Sequence, residues 1–150
     1  MAFLIVKYIH ILAAIVAVGF NMSYVVWILR ARREPAHTAF ALKGIKFIDD
    51  RIANPAYGLL LLSGLLMVVL LPVPITSLWI LIALALYAVL IVLAITQYTP
   101  TLRNQIKLVE AGDTTSAEFS RLGARGQILG QALGVIVLVI LAMMVFKPNL

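Results

Sequence analysis

The stretch 3–29 constrains this chain most, because it is an almost unbroken apolar run, longer than the roughly 20 residues that cross a bilayer. Three polar side chains interrupt it: Lys7, His10 and Asn21. At helical spacing they share one stripe with Ala14 and Ala17, since residues three and four apart stack on the same face. In lipid such a stripe must face protein or a cofactor, so we expect it to look inward.

Composition places the chain among integral membrane proteins. It has 150 residues, of which 63% are hydrophobic and 12% charged, about half the charge of a soluble domain. Cysteine is absent, which excludes disulfides, thiolate metal sites and cysteine nucleophiles. The N-terminal apolar run is too long for a cleavable signal and lacks a basic head, so we expect it to be retained. No repeat or low-complexity linker divides the chain, which predicts a single domain over 1–150.

The apolar runs predict an all-α bundle of four membrane spans. We place them at 3–29, 55–71, 78–97 and 127–146. Asn54-Pro55 is typical of a helix start, because asparagine caps and proline suits the first helical position. The segment 72–74, with its two prolines, predicts a tight turn, and Thr99-Pro100 predicts the end of the third span.

The segments between spans are predicted to form short surface helices. In 36–51 apolar residues recur at helical spacing, which favours an amphipathic helix resting on the membrane surface. A cytosolic helix that binds a partner is the alternative. The polar segment 101–125 predicts a helical hairpin, after which Thr115 and Glu118 form a capping-box pattern for the last helix.

Small and polar residues in the spans predict contacts between helices. Gly126, Gly130 and Gly134 are spaced by four, a pattern that permits close backbone approach, either to span one or to span four of a second chain. Side-chain hydrogen bonds between helices are the simplest interpretation of three further polar residues: Asn21, Tyr87 and Gln131.

The basic residues predict the orientation. Ten of the twelve Lys and Arg residues lie in 30–51 and 99–126, which two intervening spans place on one side. The positive-inside rule makes that side cytoplasmic and leaves both termini outside. This role of the basic residues in topology accounts for the net charge of +6, so the charge does not indicate nucleic-acid binding.

His10 is the candidate cofactor ligand, because it is the only histidine in a predicted span. It lies roughly 9 Å from the midplane at 1.5 Å per residue. Neutral imidazole is an axial ligand of haem iron, and Lys7, one turn further out on the same face, suits a haem propionate. Met67 on span two lies at a similar depth and could supply the second axial ligand. The alternative is His10 of a second chain.

A plainer interpretation of the same residues stays open. A histidine in a span can simply hydrogen-bond a neighbouring helix. Lys7 can extend to the outer interface. Methionines such as Met67 commonly serve as packing material in apolar spans.

The sequence lacks the residues that several other membrane functions require. All six acidic residues lie between spans, so an ion-coupled antiporter would lack its usual intramembrane carboxylate. Two histidines without neighbouring carboxylates or thiolates make a poor zinc or copper site. No serine nucleophile motif or phosphate-binding glycine loop is present.

Several short motifs are spread over nearly the whole chain. They are KYIH from Lys7, the arginine cluster in 30–33, Asn54-Pro55, Ser63-Gly64, Trp79 and MVFKP ending at Pro148. Together they resemble a domain-of-unknown-function family of four-helix bacterial integral membrane proteins. More distantly the chain is similar to HemJ-type protoporphyrinogen oxidases and CopD-like copper-resistance membrane domains. In HemJ-type proteins the histidine that His10 matches is implicated in binding haem b, but the further histidines and the Asn-Glu-x-Pro of the oxidases are missing here.

These observations lead to two functional expectations. The first is a small b-type haem protein, or a haem-bearing subunit, that serves electron transfer or redox chemistry in the bacterial cytoplasmic (inner) membrane. The second is a non-catalytic accessory subunit whose polar stripe packs against a larger membrane complex. Either would act as a homo-oligomer or as part of such a complex.

Labelling of single cysteines tests the orientation, since the chain has no cysteine of its own. With both termini outside, Ser77→Cys should react with a membrane-impermeant thiol reagent added to intact cells, and Ser116→Cys should react only after lysis. The reverse pattern of labelling would overturn the predicted orientation.

Overall fold

Four long helices make up the fold in the computed structural model, which describes residues 1–71 and 74–148. Each is long and apolar enough to cross a membrane: Ala2–Arg33, Pro35–Leu70, Leu78–Glu110 and Ala117–Phe146. No strand occurs in the described residues. The predicted all-α, four-span architecture is confirmed, while the orientation stays a prediction. The predicted turn at 72–74 includes Pro72 and Val73, which lie outside the described residues.

Two of the long helices are each divided by a single π-helical turn. The six α-helical segments are α1 (Ala2–Arg33), α2 (Thr38–Ile48), α3 (Asn54–Leu70), α4 (Leu78–Leu93), α5 (Thr99–Glu110) and α6 (Ala117–Phe146). The π turn Asp49–Ala53 joins α2 to α3, and the π turn Ala94–Tyr98 joins α4 to α5. The chain therefore passes from α2 to α3, and from α4 to α5, without leaving a helical path.

A proline follows each π turn and explains it. Pro55 and Pro100 have no N–H to donate, and a proline ring in a regular α-helix clashes with the carbonyl four residues back. The N–H before the proline bonds instead to the carbonyl five residues back, as from Thr99 to Ala94. The wider turn makes room for the ring, so the helix bends around the proline instead of ending.

Two predictions at these prolines are corrected for this reason. The predicted helix start at Asn54-Pro55 is confirmed in position, since α3 begins at Asn54, but the Asn54 side chain does not cap it and the π turn Asp49–Ala53 leads into it directly. The helix does not stop at Thr99-Pro100, because the helical path continues to Glu110. A proline after a π turn and a proline in the first turn of a new helix look alike in sequence.

The main buried cluster lies where the basic residues are concentrated. We call this region, formed by 30–51 and 99–126, the basic end. The cluster consists of Tyr24 on α1, Leu42 and Ile45 on α2, and Leu102 on α5. The helical spacing predicted within 36–51 is confirmed. Its apolar face is buried against α1 and α5, while the position of this helix at a membrane surface stays a prediction.

The hairpin predicted for 101–125 is confirmed, with one change at its cap. Gly112 adopts φ 80°, a left-handed conformation that glycine accepts at little cost, and turns the chain after α5. Ser116 caps α6, because its hydroxyl oxygen accepts a hydrogen bond from the Phe119 N–H at 3.0 Å. The predicted cap, Thr115, is therefore one residue too early. Hydrogen bonds from Ser116 also hold the pKa of Asp113 below its usual value.

The spans form two pairs, α1 with α3 and α4 with α6. Among the described residues no Cα atom of α3 comes within 8 Å of one on α4, and α1 approaches α6 at few points. Gly126 and Gly130 face Thr101 and Tyr98, whose side-chain carbons would lie 3.8 and 3.9 Å from a methyl group placed on each glycine. Span one is thus not the partner of this glycine ridge. Its contact with a second chain stays a prediction.

Truncation of a core residue on α2 tests whether this helix is packed in the bundle. Ile45 is fully buried (0% exposed), whereas Phe47, two residues along, is 62% exposed. Ile45→Ala should lower the free energy of unfolding by about 2–5 kcal/mol through lost burial and cavity formation. Phe47→Ala is the matched control and should change it little. Equal, small effects in a mixed-micelle unfolding titration would show that α2 is not packed against α1 and α5.

Candidate functional site

The polar stripe of α1 faces the neighbouring helices, as the sequence predicts. Ala17 is fully buried and Ala14 is half-buried, and Ala13 next to the stripe is also buried. His10 and Asn21 are half-buried, while Lys7 at the outer end of the stripe is exposed. The inward orientation is therefore confirmed from His10 to Asn21, and Lys7 stands at the bundle surface.

His10 contacts α3 through a hydrogen bond to Ser63. Its Nδ1 atom lies 3.0 Å from the Ser63 hydroxyl oxygen, and Ser63 is buried. That hydroxyl has one hydrogen, which the shorter 2.6 Å contact to the Leu59 carbonyl takes up. We therefore assign the imidazole hydrogen to Nδ1, which donates to Ser63. The other ring nitrogen, Nε2, is left with a lone pair.

The imidazole also packs closely on the backbone of Gly64. A methyl group at Gly64 would lie 3.0 Å from His10 Cε1, 3.5 Å from Nδ1 and 4.0 Å from Nε2. The Nδ1–Cε1 edge of the ring thus contacts α3, and Nε2 is the nitrogen further from it. Nε2 has no hydrogen-bond partner among the described residues, yet no buried side-chain nitrogen or oxygen there lacks one. Nε2 is therefore not fully buried, and His10 as a whole is half-buried.

The structure brings His10 next to Ser63 and Gly64, and among the described residues no hydrogen bond or ion pair joins Lys7 or Met67 to them. Met67 is half-buried and lies one turn, about 6 Å, beyond Ser63 on α3. Lys7 forms no ion pair among the described residues. The roles of Lys7 and Met67 in cofactor binding stay predictions. Sequence analysis named Ser63 only within the Ser63-Gly64 motif and missed the role of its hydroxyl, which depends on which helix α1 packs against.

No group of three or more His, Cys, Asp or Glu residues within 1–71 and 74–148 could hold a metal ion. A metal site built from protein ligands alone therefore finds no support in that part of the chain. Haem differs, because the porphyrin supplies four nitrogens and the protein need add only axial ligands. His10 Nε2, unprotonated and not fully buried, is the kind of donor such an iron takes.

A second group of polar side chains lies deeper along α1, toward the basic end. Asn21 donates to the Tyr57 hydroxyl, and the Tyr87 hydroxyl donates to the Tyr57 carbonyl at 2.6 Å. The two tyrosine rings are 6.5 Å apart. The predicted interhelical role of Asn21 and Tyr87 is confirmed. Gln131 differs, because it forms no hydrogen bond within the described residues. We call Asn21, Tyr57, Tyr87 and Gln131 the inner polar layer.

A carboxylate is also buried in the bundle, which sequence analysis missed. Asp49 accepts hydrogen bonds from the Tyr24 hydroxyl at 3.2 Å and from the Asn54 amide at 3.3 Å. Sequence analysis assigned every acidic residue to polar segments between spans. The π turn that begins at Asp49 instead directs this one toward α1.

The two helix pairs enclose a crevice of about 1040 Å³. Every member of the inner polar layer lines it, together with mainly aliphatic side chains from α1, α3, α4 and α6. Among the described residues that line it, Arg32 is the one with a charge, and it lies at the basic end, where its guanidinium donates to Gln127 at 2.6 Å. The deeper part of the crevice is therefore polar but uncharged.

The chain belongs to the family described as "Predicted integral membrane protein (DUF2269)", which matches residues 4–148. This confirms the resemblance to an uncharacterised family of membrane proteins, and the family description names no activity or cofactor. Comparisons with curated proteins and with solved structures gave no match. The more distant HemJ-type and CopD-like resemblances stay predictions.

Two glycines on α3 provide a matched test of the His10 contact. Gly64→Ala would place a methyl group 3.0 Å from the imidazole, whereas Gly58→Ala meets nothing within 4 Å. We expect Gly64→Ala to lower the free energy of unfolding by about 1–3 kcal/mol through overpacking. Gly58→Ala should be neutral or stabilising by up to about 1 kcal/mol. Similar effects of the two variants would show that α1 does not pack on α3 at this level.

Proposed function

We propose that this membrane protein binds haem b through Nε2 of His10 and uses it in electron transfer. The supporting observation is the 3.0 Å contact between Nδ1 and Ser63, which orients the ring and, with the imidazole hydrogen assigned to Nδ1, leaves Nε2 unprotonated. Histidines that bind metals commonly donate their second ring hydrogen in this way, which also makes the ligating nitrogen more basic. A bound haem would supply a one-electron iron couple that no side chain here provides.

The second axial ligand decides whether the haem is shared between two copies of the chain. The Nδ1–Cε1 edge of His10 faces α3, and Nε2 is the nitrogen further from that helix. Haem held at Nε2 would need a second ligand from the protein, which Met67 on α3 or a residue of another chain would supply. His10 of a second copy meets this requirement, so the proposal includes a homo-oligomer with two histidine ligands.

Lys7 fits this arrangement as a partner for a propionate. It lies three residues before His10, one turn toward the N-terminus, and its side chain is exposed. With the basic end in the cytoplasm, both residues stand in the outer half of the bacterial cytoplasmic membrane. Electron transfer would then serve a donor or acceptor in that half.

An accessory subunit of a larger complex is the second candidate. The exposure of α6 supports it. In the most apolar stretch of this helix, no residue is buried by the rest of the chain. Gly130 and Gly134 on this helix are exposed, and small residues of this kind permit close approach of another helix. In this case His10 would have a packing role alone.

An optical spectrum of the protein purified from a haem-replete host separates the two candidates. Haem binding predicts a Soret band, with sharp α and β bands on reduction. His10→Ala should abolish them while the protein remains in the membrane, because the imidazole supplies the iron bond. Met67→Leu keeps the volume and should leave the spectrum unchanged if the second ligand is another His10. A lower reduction potential in Met67→Leu would instead assign the second ligand to Met67.

Two further variants test the supporting residues. Ser63→Ala should retain haem but raise its reduction potential, because loss of the Nδ1 hydrogen bond makes the histidine a weaker donor to the oxidised iron. Lys7→Ala should weaken haem retention less than His10→Ala does. Wild-type protein without Soret absorbance would refute the proposal and leave His10 as a helix-packing residue.

A further inference from the structure

The inner polar layer has hydrogen-bonding capacity that the chain does not use. The Tyr57 hydroxyl accepts from Asn21, and among the described residues no acceptor takes its own hydrogen. Gln131 forms no hydrogen bond there and lies in the apolar run of α6, four residues beyond Gln127. Polar groups without partners are costly in a membrane interior, so these donors favour a polar group inside the crevice.

The chemistry of the crevice restricts what that group can be. Tyr57 and Gln131 both offer hydrogens, which calls for acceptor oxygens on the ligand. No charged side chain of the described residues lines the crevice apart from Arg32 at its basic end, which disfavours an ionised headgroup deeper inside. The rings of Tyr57 and Tyr87 stand 6.5 Å apart at this level, and aromatic faces favour a flat ring beside them.

The remaining space suits an aliphatic tail. Beyond the inner polar layer the walls continue as branched aliphatic side chains on α6: Leu133, Val135, Val137 and Leu138. Gly134 lies among them, and a methyl group added to it would meet nothing within 4 Å. The volume of about 1040 Å³ is at the upper end of the range for ligand pockets, enough for a ring and several tail units.

We propose that this crevice binds an isoprenoid quinone, with its carbonyl oxygens at Tyr57 and Gln131 and its tail along α6. A neutral flat ring with acceptor oxygens and a long apolar tail is the membrane-soluble chemistry that matches these walls. The site is separate from His10, since Asn21 lies eleven residues further along α1, about 16 Å away. The inference therefore does not depend on haem binding.

Titration of the purified protein in lipid nanodiscs with decylubiquinone tests the proposal through quenching of intrinsic fluorescence. Wild-type protein should show saturable quenching above the partitioning seen with empty nanodiscs. Gln131→Leu and Tyr57→Phe should each weaken binding about three- to tenfold, the equivalent of one hydrogen bond. Gln131 is exposed and unbonded in the described structure, so its variant should fold normally.

A pair of glycine variants tests the position of the quinone tail without removing a hydrogen-bonding side chain. Gly134→Leu fills the crevice and should abolish saturable binding. Gly19→Leu is the control, since Gly19 also has nothing within 4 Å but does not line the crevice. Unchanged affinity in both Gln131→Leu and Gly134→Leu, or quenching that never saturates in wild-type protein, would overturn the proposal. Equal competition by monoolein would also overturn it, because the site would then select the tail and not the quinone ring.

Discussion

Burial of Ile45 among Tyr24, Leu42 and Leu102 holds the bundle together at the basic end. Leu42 and Ile45 lie on the helical path that continues into α3, whereas Leu102 lies on the path that comes from α4. The cluster therefore joins the two helix pairs. Apolar burial is a driving force near water but not between helices surrounded by lipid. Strong packing at one end thus allows the pairs to stand apart within the membrane and leaves the crevice between them.

This arrangement separates two chemical environments along α1. Near its N-terminus His10 is held against α3 by its Nδ1 contact with Ser63. Toward the basic end Asn21 meets Tyr57 within the crevice. The first environment carries an imidazole nitrogen without a hydrogen-bond partner among the described residues, while the second is lined on several sides by this chain's own helices. One face of α1 thus carries two polar positions, about three turns apart, that both contact α3.

The number and placement of the spans could be predicted because they depend on long apolar runs, which sequence shows directly. The helix continuity at Pro55 could not, since local rules do not distinguish a first-turn proline from one that follows a π turn. Thr115 and Ser116 are adjacent and both able to cap, so only the backbone decides between them. The bond from His10 to Ser63 was missed because it depends on which helices pair, and hydropathy carries no information about pairing.

The π turn before α3 has a consequence for the length of the chain. Along α2 and this turn the buried residues recur at intervals of four: Ala41, Ile45, Asp49 and Ala53. A regular α-helix would rotate such positions about 40° away from the core at each step, and the wider turn absorbs the drift. Deletion of one residue within 49–53 would let plain helix replace the wider turn and leave α3 almost unrotated, although Pro55 would then meet the carbonyl four residues back. Deletion of one residue within the regular helix α2 would instead rotate α3 by about 100° and carry Ser63 away from His10. The residue count along α2 is therefore under as much constraint as the identities of its residues, whereas the π turn has one residue to spare.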